Sequence, residues 1–144
     1  MSTSIKRSLS KTIEAPAERV FDSWLIPAVV GRWMFNTDLQ SETLVELNNK
    51  VRPKGDFDFR VTRGGKPVAI TGEYHVIDRP VRLEFSWREN EGPESTVLAR
   101  FEAFDNCTHV RLVLTLDAAL GDEADRIKKL WTQRCNKLAQ LLAK

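Results

Sequence analysis

The spacing of apolar residues changes along the chain, and these changes predict where its elements lie. Residues 5–13 alternate loosely between apolar and polar and predict a first strand. In residues 14–25 the apolar side chains recur at helical spacing. Because Pro27 disfavours helical geometry in the residue before it, we expect that helix to end near residue 25. Residues 28–35 predict a second short helix.

From about residue 40 the apolar period changes from helical spacing to two, which is typical of half-buried strands. In "DFDFRV", for example, Phe57, Phe59 and Val61 share one face and charged residues share the other. Such segments, separated by turn residues, are 42–47, 56–61, 68–78, 81–87, 96–104 and 109–116. Their regular spacing and short turns predict an antiparallel meander with one solvated and one buried face.

The last segment returns to helical spacing and predicts a long helix that begins at Gly121-Asp122 with acidic residues in its first turn. Its predicted inward face consists of Ile127, Leu130, Trp131, Arg134, Leu138, Leu141 and Leu142. A helix of about six turns would span ~32 Å. That length would cross a curved sheet and cover its buried face. We therefore predict an α+β fold in one domain over residues 1–144.

Composition and charge narrow the choice of partners and compartment. The chain is 42% hydrophobic and 29% charged with a net charge of +2, so no nucleic-acid partner is expected. No apolar run approaches the ~18 residues of a membrane span, and no signal-peptide pattern opens the chain. We expect a cytoplasmic protein without a membrane span. Cys107 and Cys135 lie far apart without a CxxC pattern and are expected to be reduced thiols.

Four segments carry a resemblance to a known family. They are "IEAPAERVFDSW" (13–24), "GRWM" (31–34), "GEYHVIDRPVRLEFSW" (72–87) and "LWTQRCNKLAQLL" (130–142). Together they resemble the START and pollen-allergen-like (SRPBCC) superfamily and, within it, the heat-shock protein 90 ATPase activator homologue family. The resemblance implies a helix-grip fold, in which a curved antiparallel sheet wraps around a long C-terminal helix, with two short helices after strand 1. Arg134 departs from the family pattern, which more often has a small or apolar residue there.

The implied fold leaves a gap between the concave sheet and the helix, and such gaps form pockets lined by apolar and aromatic groups. The candidate lining residues are Trp33, Phe57, Phe59, Tyr74, Leu83, Phe85, Trp87, Phe101, Leu112, Leu114, Trp131 and Arg134. The alternative is that most of these side chains simply fill a densely packed core.

Two candidates carry polar groups. The guanidinium of Arg134 could face an anionic or carbonyl group of a ligand, or it could lie at the margin of the helix stripe with its head in water. The hydroxyl of Tyr74 could orient a ligand or lie at the surface. Strand alternation places His75 on the face opposite Tyr74 unless a bulge intervenes.

The sequence contains few features that indicate catalysis. It contains no G-x-S-x-G or HExxH motif and no metal-ligand spacing, so no catalytic residue, metal or cofactor is predicted. Glu73, Glu84 and Glu102 alternate with apolar residues and indicate the solvated face of the sheet.

Three functions are compatible with these observations. The favoured one is non-enzymatic binding of a hydrophobic or amphipathic small molecule in a hydrophobic cavity. The second is a chaperone-assisting module of the ATPase-activator kind, which predicts an exposed patch of Val29, Val30 and Met34. The third is a cyclase or dehydratase acting on a polyketide-like substrate, which would need Arg134, Tyr74 and His75 to point into the cavity. A homodimer is compatible with any of them.

Overall fold

The computed structural model describes residues 4–143. Its elements, in chain order, are β1 (Ile5–Ile13), α1 (Ala17–Asp22), α2 (Pro27–Trp33), β2 (Thr43–Asn49), β3 (Asp56–Arg63), β4 (Lys66–Asp78), β5 (Arg82–Glu89), β6 (Ser95–Phe104), β7 (Cys107–Leu116), a 3-10 helix (Ala118–Glu123) and α3 (Ala124–Leu142).

The strands form one antiparallel sheet in the order β1-β7-β6-β5-β4-β3-β2. Strands β2 to β7 follow one another as a meander, whereas β1 pairs with β7 from Ile5 opposite Leu116 to Ile13 opposite Thr108. Side chains alternate between buried and accessible along β3, β6 and β7, as the period of two predicted. The predicted helix-grip architecture is confirmed.

Helix α3 covers the apolar face of the sheet with a stripe that includes Leu130, Trp131, Leu138 and Leu142. The prediction that this helix begins at Gly121-Asp122 is wrong. Residues 118–123 form the 3-10 helix instead, and the carboxylate of the preceding Asp117 caps its start by accepting a hydrogen bond from the Ala119 amide at 2.8 Å. The α-helix itself has 19 residues, or about 28 Å by its rise per residue.

The two short helices pack inward. Pro27 occupies the first position of α2, where its missing N–H costs no hydrogen bond. The predicted exposed patch is wrong, because Val30 and Met34 are 0% and 2% exposed and only Val29 is partly accessible. The apolar stripe of an amphipathic helix is buried against the core here rather than presented to solvent.

A bulge interrupts the pairing of β4 with β5. Tyr74 pairs with Phe85 and Val76 pairs with Glu84, which leaves His75 as the extra residue. Three residues before His75, Gly72 passes so close to its neighbours that a Cβ would overlap the carbonyl oxygen of Ser86 and the ring of Phe57.

The helices described in residues 4–143 include none that is long and apolar enough to cross a membrane.

Candidate functional site

Most of the sequence-predicted cavity residues form a packed interior. Its aromatic side chains form a cluster in which the ring centroid of Phe57 lies 4.7 Å from that of Phe59 and 5.4 Å from that of Tyr74. Side chains buried in this interior are Trp33, Phe57, Phe59, Tyr74, Leu83, Phe85, Phe101 and Leu112. None of these eight lines the cavity described below. They pack as the alternative interpretation, a filled core, anticipated.

Tyr74 lies inside this interior rather than at the surface. Its side chain is 3% exposed, and its hydroxyl oxygen accepts a hydrogen bond from Asn49 Nδ2 at 3.1 Å. Burial raises the pKa of Tyr74, although the hydrogen bond from Asn49 opposes that shift. His75 is exposed on the other face, with Nδ1 3.4 Å from a carboxylate oxygen of Glu84.

A cavity of about 250 Å³ lies beside the aromatic cluster, between α3 and strands β3, β5, β6 and β7. Its apolar wall consists of Trp87, Val97, Leu114, Leu116, Leu120, Ile127, Leu130 and Trp131. Pro93, Glu123 and Arg126 also line it, and because these three are exposed the cavity reaches the surface. Four of the predicted residues therefore meet here, namely Trp87, Leu114, Trp131 and Arg134.

Arg134 provides the buried positive charge of this cavity. It is 1% exposed, so the alternative that its head reaches bulk water is wrong. Its guanidinium carbon lies 4.4 Å from the ring centroid of Trp131 and 5.1 Å from that of Trp87, and Nε donates to the Met34 carbonyl at 2.9 Å. These cation–π contacts and the hydrogen bond offset part of the cost of burial. Desolvation still lowers the pKa of Arg134 to about 10, so the group is charged at neutral pH.

The charge of Arg134 is balanced by a triad, which we define as Glu42, Arg63 and Glu89. Arg63 bonds both carboxylates at 2.8 Å, and the Glu42 side chain is 0% exposed. Burial raises the pKa of Glu89, but hydrogen bonds and charge from Arg63, together with the charge of Arg134, outweigh it and hold that pKa below its usual value. With two carboxylates and one guanidinium the triad carries one excess negative charge, which equals the charge of Arg134 in magnitude.

Two buried donors beside the cavity lack acceptors. Arg134 Nη2 and Gln40 Nε2 have no hydrogen-bond partner within residues 4–143, and both residues line the cavity. Gln40 lies in the loop between α2 and β2, where its backbone exchanges hydrogen bonds with Thr37 at 3.1 Å. In the same loop the Leu39 amide donates to Gln133 Oε1 at 2.8 Å, which holds Gln40 against the helical turn that carries Arg134.

Groups suited to other chemistry are sparse in the part of the chain that the structure describes. No cluster of three or more His, Cys, Asp or Glu side chains is placed there to hold a metal ion. Burial raises the pKa of the Cys135 thiol to about 12, so this cysteine remains protonated at neutral pH.

Comparison with known families identifies the chain. The family model described as Activator of Hsp90 ATPase homolog 1-like protein matches residues 14–143. The chain belongs to this family. The resemblance drawn from the four sequence segments is thereby confirmed. No curated protein matches the chain.

Solved structures with the same fold as this Activator of Hsp90 ATPase homolog 1-like chain come from several bacteria. Protein CV1439 from Chromobacterium violaceum is 18% identical with a TM-score of 0.82, over 95% of this chain and 96% of that one. SA2116 from Staphylococcus aureus is 13% identical with a TM-score of 0.84, over 98% and 94%. At these identities the likeness shows the fold alone.

DynU16, a protein from the dynemicin biosynthetic locus, is 18% identical with a TM-score of 0.78. The match covers 95% of this chain but 46% of DynU16, so that protein is about twice as long. Family and fold together support a ligand-binding or activator-like role in general terms.

Sequence reasoning missed several polar residues of the site in this Activator of Hsp90 ATPase homolog 1-like chain, among them Gln40, Arg63 and Glu89. Two of them extend a recognised alternation: Arg63 follows Phe57, Phe59 and Val61 on the inward face of β3, and Glu89 follows Phe85 and Trp87 on that of β5. A charged residue at the end of each apolar face was therefore a usable signal. Gln40 lies in a loop without periodicity, and no local pattern marks it.

Proposed function

We propose that the protein binds a small amphipathic molecule in the cavity between α3 and the sheet, without altering it chemically. The observation that supports this proposal is the combination of an apolar wall with a buried guanidinium in one cavity that reaches the surface. Ligand sites commonly join a mostly apolar lining to a few placed polar groups.

The size of the cavity limits the ligand. Pockets for drug-sized molecules typically measure ~300–1,000 Å³, and this one is smaller at about 250 Å³. A ligand of one or two rings, or a short chain, suits that volume. Its apolar part would contact Trp87, Leu114 and Trp131, where each ~100 Å² removed from water contributes about 2.5 kcal/mol before the cost of association.

The two alternative functions find less support. A chaperone-assisting role loses the contact surface predicted for it, because Val30 and Met34 are buried in the core. An enzymatic role would need Tyr74 and His75 beside Arg134, but neither lines the cavity, and His75 is exposed on the opposite side of the sheet.

Filling the cavity tests the proposal. Ile127 lines the cavity from α3 without using a polar group, so Ile127→Trp would occupy ligand space with an indole. We expect it to weaken the binding of the two-ring ketone 2-acetylnaphthalene by at least tenfold, measured by titration of the tryptophan indole N–H signals in NMR spectra. The signals of Trp87 and Trp131 should shift in the unaltered protein.

Lys129→Trp is the matched control, because it adds the same indole to an exposed position of the same helix. It should bind the ketone like the unaltered protein. The absence of saturable binding in the unaltered protein, or equal affinity in both variants, would refute the proposed function. Native mass spectrometry of protein purified without organic solvent would reveal a ligand retained from the cell.

A further inference from the structure

We propose that the polar end of the ligand is an uncharged oxygen acceptor, such as the carbonyl of a ketone, ester or amide, which accepts hydrogen bonds from Arg134 and Gln40. This inference rests on the proposed function and specifies its ligand. It follows from two properties of the site. Two of its buried N–H donors lack acceptors in the described part of the chain, whereas its charges are already balanced.

Buried N–H donors of residues that line the cavity lack hydrogen-bond acceptors among the residues that the structure describes. Two residues that line the cavity have a buried side-chain atom without a partner in residues 4–143. These atoms are Arg134 Nη2 and Gln40 Nε2, and both are N–H donors. Buried donors are nearly always paired in folded proteins, so this pair favours a ligand that brings an acceptor. A carbonyl oxygen has two lone pairs and so can accept two hydrogen bonds.

The position of Gln40 is compatible with Gln40 and Arg134 binding the same end of a ligand. The Leu39 amide is tied to Gln133 on α3, the residue directly before Arg134. The side-chain oxygen of Gln40 faces Arg126 Nη1 at 3.4 Å, on the same helix. With its oxygen occupied toward Arg126, the amide group of Gln40 has its nitrogen left to donate.

The charges of the site are already balanced. Arg134 carries one positive charge and the triad of Glu42, Arg63 and Glu89 carries one net negative charge. At the mouth, exposed Arg126 and Glu123 add one charge of each sign. A carboxylate ligand would therefore bring an uncompensated charge into a partly enclosed site, which is costly, whereas a carbonyl would bring none.

Three isosteric probes test the inference: 2-acetylnaphthalene, 2-isopropenylnaphthalene and 2-naphthoate. The second replaces the carbonyl oxygen by CH₂, and the third replaces the methyl group by an anionic oxygen. We expect the ketone to bind about tenfold or more tightly than the hydrocarbon, as loss of a hydrogen bond from a charged donor implies. It should also bind more tightly than the naphthoate at pH 7. Titrations would follow the indole N–H signals of Trp87 and Trp131.

Gln40→Glu replaces the free donor by an acceptor and adds a negative charge. It should lower the affinity for the ketone about tenfold and reduce its advantage over the hydrocarbon. Gln140→Glu makes the same chemical change at an exposed position of α3 and should leave all three affinities unchanged.

The outcomes separate the two proposals. If naphthoate binds most tightly, or the ketone and the hydrocarbon bind equally, cavity binding stands and the uncharged acceptor is refuted. If none of the three probes binds saturably to the unaltered protein, the proposed function fails and this inference fails with it. Since the ranking on the unaltered protein decides the matter, the inference stays testable even if Gln40→Glu does not fold.

Discussion

Arg134 shows how a single buried charge can be tolerated. Its guanidinium lies over the indoles of Trp87 and Trp131, and it forms no direct ion pair with a carboxylate in residues 4–143. Its charge is compensated at longer range by the carboxylates of Glu42 and Glu89, which raise the pKa that desolvation lowers, whereas the charge of Arg63 lowers that pKa further. Removing the guanidinium would therefore leave the triad with an uncompensated negative charge and the Met34 carbonyl without its donor.

We expect Arg134→Met, which roughly keeps the volume of the side chain, to lower the free energy of unfolding by about 3–5 kcal/mol, the usual cost of breaking a buried charge arrangement. Urea denaturation followed by circular dichroism would measure it. Arg111→Met, on the exposed face of β7, is the matched control and should change stability by less than about 0.5 kcal/mol.

If charge balance is the reason why Arg134→Met loses stability, adding Glu89→Gln should restore part of the free energy of unfolding. The double variant should then be more stable than Arg134→Met alone, because the two changes together remove one charge of each sign. A double variant whose losses simply add would contradict the electrostatic balance on which the ligand inference depends.

At the scale of the element, Gly72 determines how closely β4 approaches its neighbours. It combines an extended strand with a position where any side chain would overlap the Ser86 carbonyl and the Phe57 ring. The strand carries Tyr74 into the aromatic cluster two residues later. A change at this glycine would therefore disturb the strand pairing and the packing of the cluster together.

We expect Gly72→Ala to lower the free energy of unfolding by about 1–3 kcal/mol or more, as overpacking of a tight interior does, measured by urea denaturation. Gly31→Ala is the matched control. A Cβ there would lie 3.0 Å from a methyl group of Leu44, which can move aside, and alanine is the better helix former in α2 by about 1 kcal/mol. Equal losses in the two variants would show that the close approach of β4 is unimportant.

Elements with strong periodicity were predictable from the sequence, and those without it were not. The alternation of Phe57, Phe59 and Val61 located β3 because one face is buried and the other is solvated. The start of α3 was misplaced because acidic residues near Gly121 suit a 3-10 helix as well as the first turn of an α-helix. The bulge at His75 has no signal in composition, since it depends on the register between two strands.

For the whole molecule, the sheet and α3 together create what neither element has alone. The cavity draws its lining from β3, β5, β6, β7, two loops, the 3-10 helix and α3. Four of its lining residues were candidates because of the strand or helix face on which they lie, namely Trp87, Leu114, Trp131 and Arg134. Which aromatic residues would fill the core and which would line a space could not be predicted, because that depends on the curvature of the sheet and on the exact height of the helix above it.

The stability of the whole protein should depend on acid pH through its paired carboxylates. The pKa of Asp22 is held low by hydrogen bonds from Arg79 and that of Glu89 by Arg63, so both folded-state values lie below the ordinary 3.8 and 4.5. Such groups add stability above their unfolded pKa, and that contribution is lost as the pH falls through the folded pKa. We expect a constant urea midpoint from pH 7 to about 5 and a steep fall below ~4.

Glu89→Gln removes one of these groups and should flatten the fall in acid. Glu102→Gln changes an exposed carboxylate on β6 and serves as the control, which should keep the slope of the unaltered protein. Identical slopes for all three proteins would mean that Glu89 is not stabilised by its partners in the folded state.

Trp87 and Trp131 belong to two places at once: they contact the aromatic cluster through Phe57 and Trp24, and they line the cavity. Their two indoles are thus a partition between the solid interior and the open space. Exchanging either for a smaller group would move that partition and join part of the interior to the void. The enlarged cavity would then accept larger ligands, and the interior would become less rigid.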